Sequence, residues 1–286
     1  GPVVSRDGGV KNVKLTLTKS HGCGNDFVLL HAKDVRDIPL EPLIRAVCDR
    51  RTGVGADGFI LAEKDPLTMR FYNADGSAAP MCGNGIRCFA RFCLEEGLMD
   101  SDSFPVQTGA GEKQVDIVSR APFLVRIAMG KPDYRPEMVG AASGANLWNY
   151  SIDVDGMRVT LCSFFLSTVH TVWFVDDAAD DALLPLAEKI HSHPMFAAKT
   201  NVNLVEVIDD ATIRMRTWER GVGPTLACGT GACSAVLAAY KKRLCGPDVT
   251  VRLPRGELYI SVAPDESVTM TGPAQRILKG EYEYEG

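Results

Sequence analysis

The 286-residue sequence lacks a basic excess, a long apolar run, a zinc-type cysteine spacing and any nucleotide or serine-nucleophile signature. Its 31 Lys and Arg stand against 36 Asp and Glu, a net charge of −5, with no basic block. That balance argues against a general nucleic-acid binder. The best apolar stretch, 161–175, is interrupted by Ser163, Ser167, Thr168 and His170, so no membrane-spanning helix is expected. No C-x-x-C pair occurs, and a metal site is not expected. Neither a Walker motif nor a G-x-S-x-G elbow occurs. Gly53-Val54-Gly55-Ala56-Asp57-Gly58 has the letters of a dinucleotide fingerprint, but a helix end precedes it and a strand follows. That order is reversed, so the segment reads as a turn. No secretory apolar region opens the chain, and Gly1-Pro2 reads as a processing scar or trimmed leader.

What is present is an ordinary globular composition, 45% hydrophobic and 23% charged. The length predicts about two domains. Nine cysteines form an odd count, too few for a disulfide scaffold. A reducing compartment is therefore expected, with each cysteine buried or reactive.

Alternation and spacing predict strands over 13–18, 26–31, 59–62 and 69–72, a helix over 43–51 and another over 86–98, then strands across 106–126. The Pro-, Gly- and Asn-rich stretch 131–149 reads as a linker or inter-domain crossing. The order then recurs: strands over 156–165 and 169–175, a helix over 182–191, strands over 203–208 and 212–218, a helix over 232–244, and strands over 249–253 and 257–262. At an offset of 146 residues, Met69-Arg70 falls on Met215-Arg216, and Cys82, Gly83 and Gly85 fall on Cys228, Gly229 and Gly231. With one residue of adjustment, Val106, Gly111 and Glu112 fall on Val251, Gly256 and Glu257. The expectation is an α/β (α+β) chain of two pseudo-repeated domains, 13–140 and 150–281, each presenting one Cys-Gly-x-Gly turn.

A cysteine at such a turn sits beside unpaired N–H groups and the positive end of a helix dipole, both of which lower a thiol pKa. The glycines admit an anion to those N–H groups. Two such turns across a cleft would hold one carboxylate with a thiol on either side. That suits removal of a proton from one face of a carbon and delivery to the other. Two helix ends supply ~4 kcal/mol at most, about a thousandfold, so water exclusion and placement must supply more. A Cys82–Cys228 disulfide formed in air is the alternative for this pair. Cys48, Cys88, Cys93, Cys162, Cys233 and Cys245 are expected in the core; Cys23 is expected to be structural or to line the cleft. Asn25, Asn73, Asn201, Glu219 and Arg220 lie in turns near the expected cleft and suit a zwitterionic amino acid: Arg220 for a carboxylate, Glu219 for an ammonium. His170 reads as a satisfied structural histidine.

These residues resemble the diaminopimelate epimerase family over nearly the whole chain. The motifs are His21-Gly22-x-Gly24-Asn25-Asp26-Phe27, the stretch 73–88, Thr200-Asn201-Val202, and Glu219-Arg220-Gly221-Val222-Gly223 through Ala227-Cys228-Gly229-Thr230-Gly231-Ala232. The resemblance implies two domains, each a β-barrel-like sheet around a central helix, with the site in the cleft between them. It implies PLP-independent interconversion of LL- and meso-diaminopimelate in lysine biosynthesis, with Cys82 and Cys228 as the acid–base pair. It implies that the backbone of Gly83, Asn84, Gly229 and Thr230 holds the reacting carboxylate, while Asn25, Asn73, Asn201, Glu219 and Arg220 bind substrate. No cofactor and no metal are implied; a homodimer is, and a bacterial cytoplasm or plastid stroma. Where the family usually reads Gly-Asn-Pro-His, this chain has Ser167-Thr168-Val169-His170. Thr168 is a shorter group without an amide donor. A racemase of a different amino acid, and a non-catalytic amino-acid-binding protein, are the alternatives.

Overall fold

A computed structural model describes residues 12–286; the Gly1-Pro2 start lies outside the described residues. The chain divides into two compact units, the first reaching Arg126 and taking in Pro273–Gly286, the second Ile127–Gly272. The first carries β1 (Val13–Gly22), β2 (Asn25–His31), α1 (Leu40–Cys48), β3 (Gly58–Glu63), β4 (Thr68–Asn73), β5 (Ala78–Ala79), α2 (Gly83–Glu95), β6 (Ser103–Thr108) and β7 (Gly111–Arg120). The unit boundary falls inside β8 (Phe123–Gly130). The second carries β9 (Tyr150–Val154), β10 (Met157–Leu166), β11 (Thr168–Phe174), α3 (Leu184–His191), β12 (Asn201–Asp209), β13 (Thr212–Glu219), β14 (Gly223–Thr225), α4 (Gly229–Lys241), β15 (Asp248–Leu253), β16 (Gly256–Val262) and β17 (Val268–Pro273). β18 (Gln275–Tyr284) belongs to the first unit.

The same pairing scheme occurs twice. β1 and β2 are antiparallel, β2 and β3 parallel, β3 and β4 antiparallel, β4 and β6 parallel, β6 and β7 antiparallel. β10 and β11, β11 and β12, β12 and β13, β13 and β15, and β15 and β16 repeat those senses in order. β18 takes the place beside β1 that β9 takes beside β10. α2 and α4 are both 13 residues long.

In each unit one helix is enclosed by strands. α2 touches β1 to β4, and α4 touches β10 to β13, β15 and β16. α4 is buried from Gly231 to Ala239, and its small residues let strands approach it on several sides. On the opposite face of β2 and β3, Leu43, Ile44 and Val47 of α1 pack on Val28, Leu30, Phe59 and Leu61. A strand buried on both faces must be apolar throughout, which is why β2 does not alternate.

The structure corrects three expectations. α2 and α4 start at Gly83 and Gly229, not at 86 and 232. Glycine is disfavoured in a helix interior, but the first turn forms few intrahelical N–H bonds, so glycines stand there and the helices begin directly after the cysteines. Segment 131–149 lies within the second unit rather than bridging two. It is pinned by buried Val139 and Leu147, and by Asp133 bridging Phe165. The end of the expected second domain, 150–281, groups instead with the first unit from Pro273 on, because β18 pairs along β1.

Candidate active site

Burial sorts the nine cysteines. Cys23, Cys48, Cys88, Cys93, Cys162, Cys233 and Cys245 are buried, while Cys82 and Cys228 are half-buried. Desolvation pushes the Cys48 and Cys88 thiols up to about 12 and the Cys245 thiol to about 11, and it raises Cys93 and Cys162. Those five are held protonated and inert.

Cys82 is the N-cap of α2 and Cys228 the N-cap of α4, each in an extended conformation. Their carbonyls accept from the Ile86 and Ala232 N–H groups at 2.8 and 2.9 Å, which are the first helical bonds. The N–H groups of Gly83 and Asn84, and of Gly229 and Thr230, have no carbonyl partner within the helix, because they belong to its first turn. They stand where an anion is stabilised.

In the first unit, Asn25 and Asn84 stand beside Cys82. The sulfur lies 3.6 Å from Asn25 Oδ1, which also accepts from Asn84 Nδ2 at 3.1 Å. Asn25 Nδ2 donates to Asp57 Oδ2 at 2.8 Å. Behind them, Asp26 takes both Arg50 nitrogens and lies 3.1 Å from Lys19 Nζ. Burial raises the Asp26 carboxyl, but hydrogen bonds from Arg50, the Asp57 N–H and Lys19 outweigh it and leave it at about 2. Asn73 ends β4 opposite Gly58 and donates to Ser77 Oγ at 3.1 Å.

In the second unit, Thr230 Oγ1 lies 3.7 Å from the Cys228 sulfur and 2.8 Å from His170 Nε2. Asn203 Nδ2 meets His170 Nδ1 at 3.1 Å and the Thr171 carbonyl at 3.3 Å, while Asn203 Oδ1 accepts from Thr217 Oγ1 at 2.9 Å. A carbonyl only accepts, so the Asn203 amide is oriented N–H toward Nδ1, and the His170 proton sits on Nε2. Burial and then the Arg220 charge push His170 down to about 3, so it is neutral. It donates to Thr230, whose own hydroxyl proton is left for the Cys228 sulfur. The expectation of a satisfied histidine holds, and the ring also orients Thr230. Asn201 Oδ1 accepts from the Arg220 N–H at 2.7 Å, and Asn201 Nδ2 donates to the Val169 carbonyl at 3.0 Å. Arg220 Nη2 lies 3.4 Å from Thr168 Oγ1. Glu219 ends β13 opposite Gly223.

Sequence reading passed over Asn203, Thr217 and Arg87. Asn203 carries a visible signal, a lone amide within Val202-Asn203-Leu204-Val205. Arg87 is fully buried in α2 and bonds the Pro273 carbonyl at 2.9 Å.

The fold is that of the two-domain epimerases and racemases. A hydroxyproline epimerase from Agrobacterium vitis aligns with a TM-score of 0.65 at 15% identity, over 96% of this chain and 93% of its own. A PhzF-family phenazine biosynthesis protein from Bacillus anthracis aligns at 0.64 and 14%, over 94% and 99%. The diaminopimelate epimerase family profile matches residues 17–135 and 166–277. Diaminopimelate epimerases of Alkaliphilus metalliredigens and Moorella thermoacetica are each 39% identical, covering 94% and 93% of this chain and 98% of their own. The chain belongs to the diaminopimelate epimerase family.

Proposed function

We propose that this chain interconverts LL- and meso-diaminopimelate without a cofactor, within lysine biosynthesis, through Cys82 and Cys228. One sulfur, as thiolate, takes the α-proton. The electron pair left on the α-carbon is stabilised through the adjoining carboxylate by the helix N–H groups of Gly83 and Asn84, and of Gly229 and Thr230. The other sulfur, as thiol, delivers its proton to the opposite face, inverting the centre and exchanging the two protonation states. The carboxylate gains charge as the proton leaves, so the N–H groups bind the transition state more strongly than the substrate. Arg220 takes a carboxylate, Glu219 an ammonium, and Asn25, Asn73, Thr168 and Asn201 supply polar contacts. The working assembly in this reading is a homodimer, and reduced thiols fit a bacterial cytoplasm or plastid stroma.

The observation that carries the reading is the sorting of nine cysteines into seven buried ones and the two half-buried helix caps at matched places in the repeat. The test is α-proton exchange: reduced protein with diaminopimelate in D₂O should wash the α-hydrogen out while interconverting the isomers. Folded, reduced protein that leaves both isomers unexchanged overturns it.

Thr168 supports a second reading, racemisation of a different amino acid, because its hydroxyl reaches less far than the usual amide. If diaminopimelate is the substrate, T168N restores that amide and should lower KM by about fivefold, one hydrogen bond's worth, with little change in kcat. A T168N enzyme with raised KM for diaminopimelate, and wild-type turnover of another amino acid on a chiral column, would favour the second reading.

A further inference from the structure

The turn 53–58 carries Asp57, which is one end of a directional chain of hydrogen bonds that passes the Cys82 sulfur. The chain begins at Arg87, whose Nη2 donates to Asn84 Oδ1 at 2.6 Å. A guanidinium has only donors, so it fixes the Asn84 oxygen toward itself and the Asn84 N–H₂ toward Asn25. Asn84 Nδ2 then donates to Asn25 Oδ1 at 3.1 Å. At the other end, Asp57 Oδ2 accepts from Asn25 Nδ2 at 2.8 Å, and Asp57 Oδ1 is held by Arg50 Nη2 at 2.9 Å. An ionised carboxylate has only acceptors, so it fixes the same Asn25 orientation from the opposite side. Both charged ends demand one arrangement, in which the Asn25 carbonyl oxygen meets the sulfur at 3.6 Å.

We propose that Asp57 and Arg87 are positioning residues that lock the Asn25 carbonyl onto the Cys82 sulfur and so favour its protonated form. A carbonyl oxygen accepts from S–H and repels a thiolate. The second repeat is built differently: Thr168 opens β11 as Asn25 opens β2, and Thr230 stands where Asn84 does, so Cys228 faces a hydroxyl. The charged and titratable groups about Cys82 in its own unit include Arg87 and Cys88 on α2, Cys23 against Arg87, and Asp57 with Asp26, Lys19 and Arg50 behind Asn25. The inference rests on the two-thiol reading of the chain.

The test is the pH profile of Cys82 alkylation by iodoacetamide, read by peptide mass spectrometry on the intact protein. D57N offers Asn25 a donor as well as an acceptor, so its amide is held one way from the Arg87–Asn84 end alone. The Cys82 midpoint should fall by about one pH unit, giving about three- to fourfold faster alkylation at neutral pH once the lower nucleophilicity is counted. D57E keeps an acceptor-only group and should return the midpoint toward wild type. N25A removes the carbonyl directly and should lower the midpoint too, and it decides the matter if D57N does not fold. A Cys82 midpoint unmoved in N25A overturns the proposal, as does an unmoved midpoint in folded D57N. Wild-type protein that fails to exchange the diaminopimelate α-proton would sink the functional reading, while the alkylation profiles would still decide this one.

Discussion

C82S and C228S are each expected to lose epimerisation almost entirely, with kcat/KM down by about 10²–10⁴, the usual span of a general acid–base contribution. A serine hydroxyl is a far weaker acid than a thiol, so it neither ionises to take an α-proton nor releases one readily. Inversion needs both groups, so the double variant should be little worse than either single one, because residues acting as a unit are not additive. Each single variant keeps one thiol. It should therefore retain slow solvent exchange without inversion for one isomer, and the retained isomer should differ between the two variants. Serine is nearly isosteric and both positions are half-buried, so thermal unfolding should change little. The measurement is proton exchange by NMR alongside product stereochemistry. Unchanged turnover in either variant removes the two-base assignment.

The repeat was legible because its two copies kept their spacing where geometry is strictest. From β4 through α2 the offset is constant, since a helix cap, its first turn and the strand feeding it tolerate no insertion. The helix starts were misplaced by three residues because Gly83-Asn84-Gly85 and Gly229-Thr230-Gly231 have poor helix propensity, and propensity says nothing about orphan N–H groups being kept for a ligand. The domain boundary was illegible for a different reason. It falls within β8, a continuous strand with no breaker, whereas the Pro- and Gly-rich stretch that resembles a linker is anchored by Val139, Leu147 and Asp133. The return of β18 to β1 is a pairing between chain ends that no local pattern announces. At the site, the cysteines, amides and Arg220 were readable as residue types. The orientation of those amides was not, because it is set by the Asp57 carboxylate and the Thr171 carbonyl, acceptors distant in sequence, and by the Arg87 guanidinium one helical turn from Asn84, which only donates and whose burial no local pattern announces.

G231A is expected to cost about 2–5 kcal/mol, from overpacking plus a disturbed buried hydrogen bond, and to lower the unfolding midpoint by roughly 5–15 °C. G85A, its partner in the repeat, should cost less than about 1 kcal/mol. The two glycines sit at the same helical position, three residues beyond their cysteines, but on different neighbours. A Cβ at Gly85 would lie 3.3 Å from Ile60 Cδ1, the end of a side chain that can turn aside. A Cβ at Gly231 would fall well inside contact distance of Asn203 Oδ1, and 3.1 Å from the Cys228 sulfur. Asn203 has nowhere to go: its oxygen accepts from Thr217, and its nitrogen serves both His170 and the Thr171 carbonyl. Displacing it frees the His170 ring to change tautomer, which reverses the hydrogen bond to Thr230 and takes the hydroxyl proton away from Cys228. G231A should therefore lose activity beyond what its stability loss explains, even at temperatures where it stays folded. Adding N203S makes room for the new methyl group, so the double variant should be more stable than the sum of the two single losses, since the residues share one space. Equal unfolding midpoints for G231A and G85A would show that Asn203 yields freely and that the polar layer under Cys228 is not the rigid support its hydrogen bonds describe.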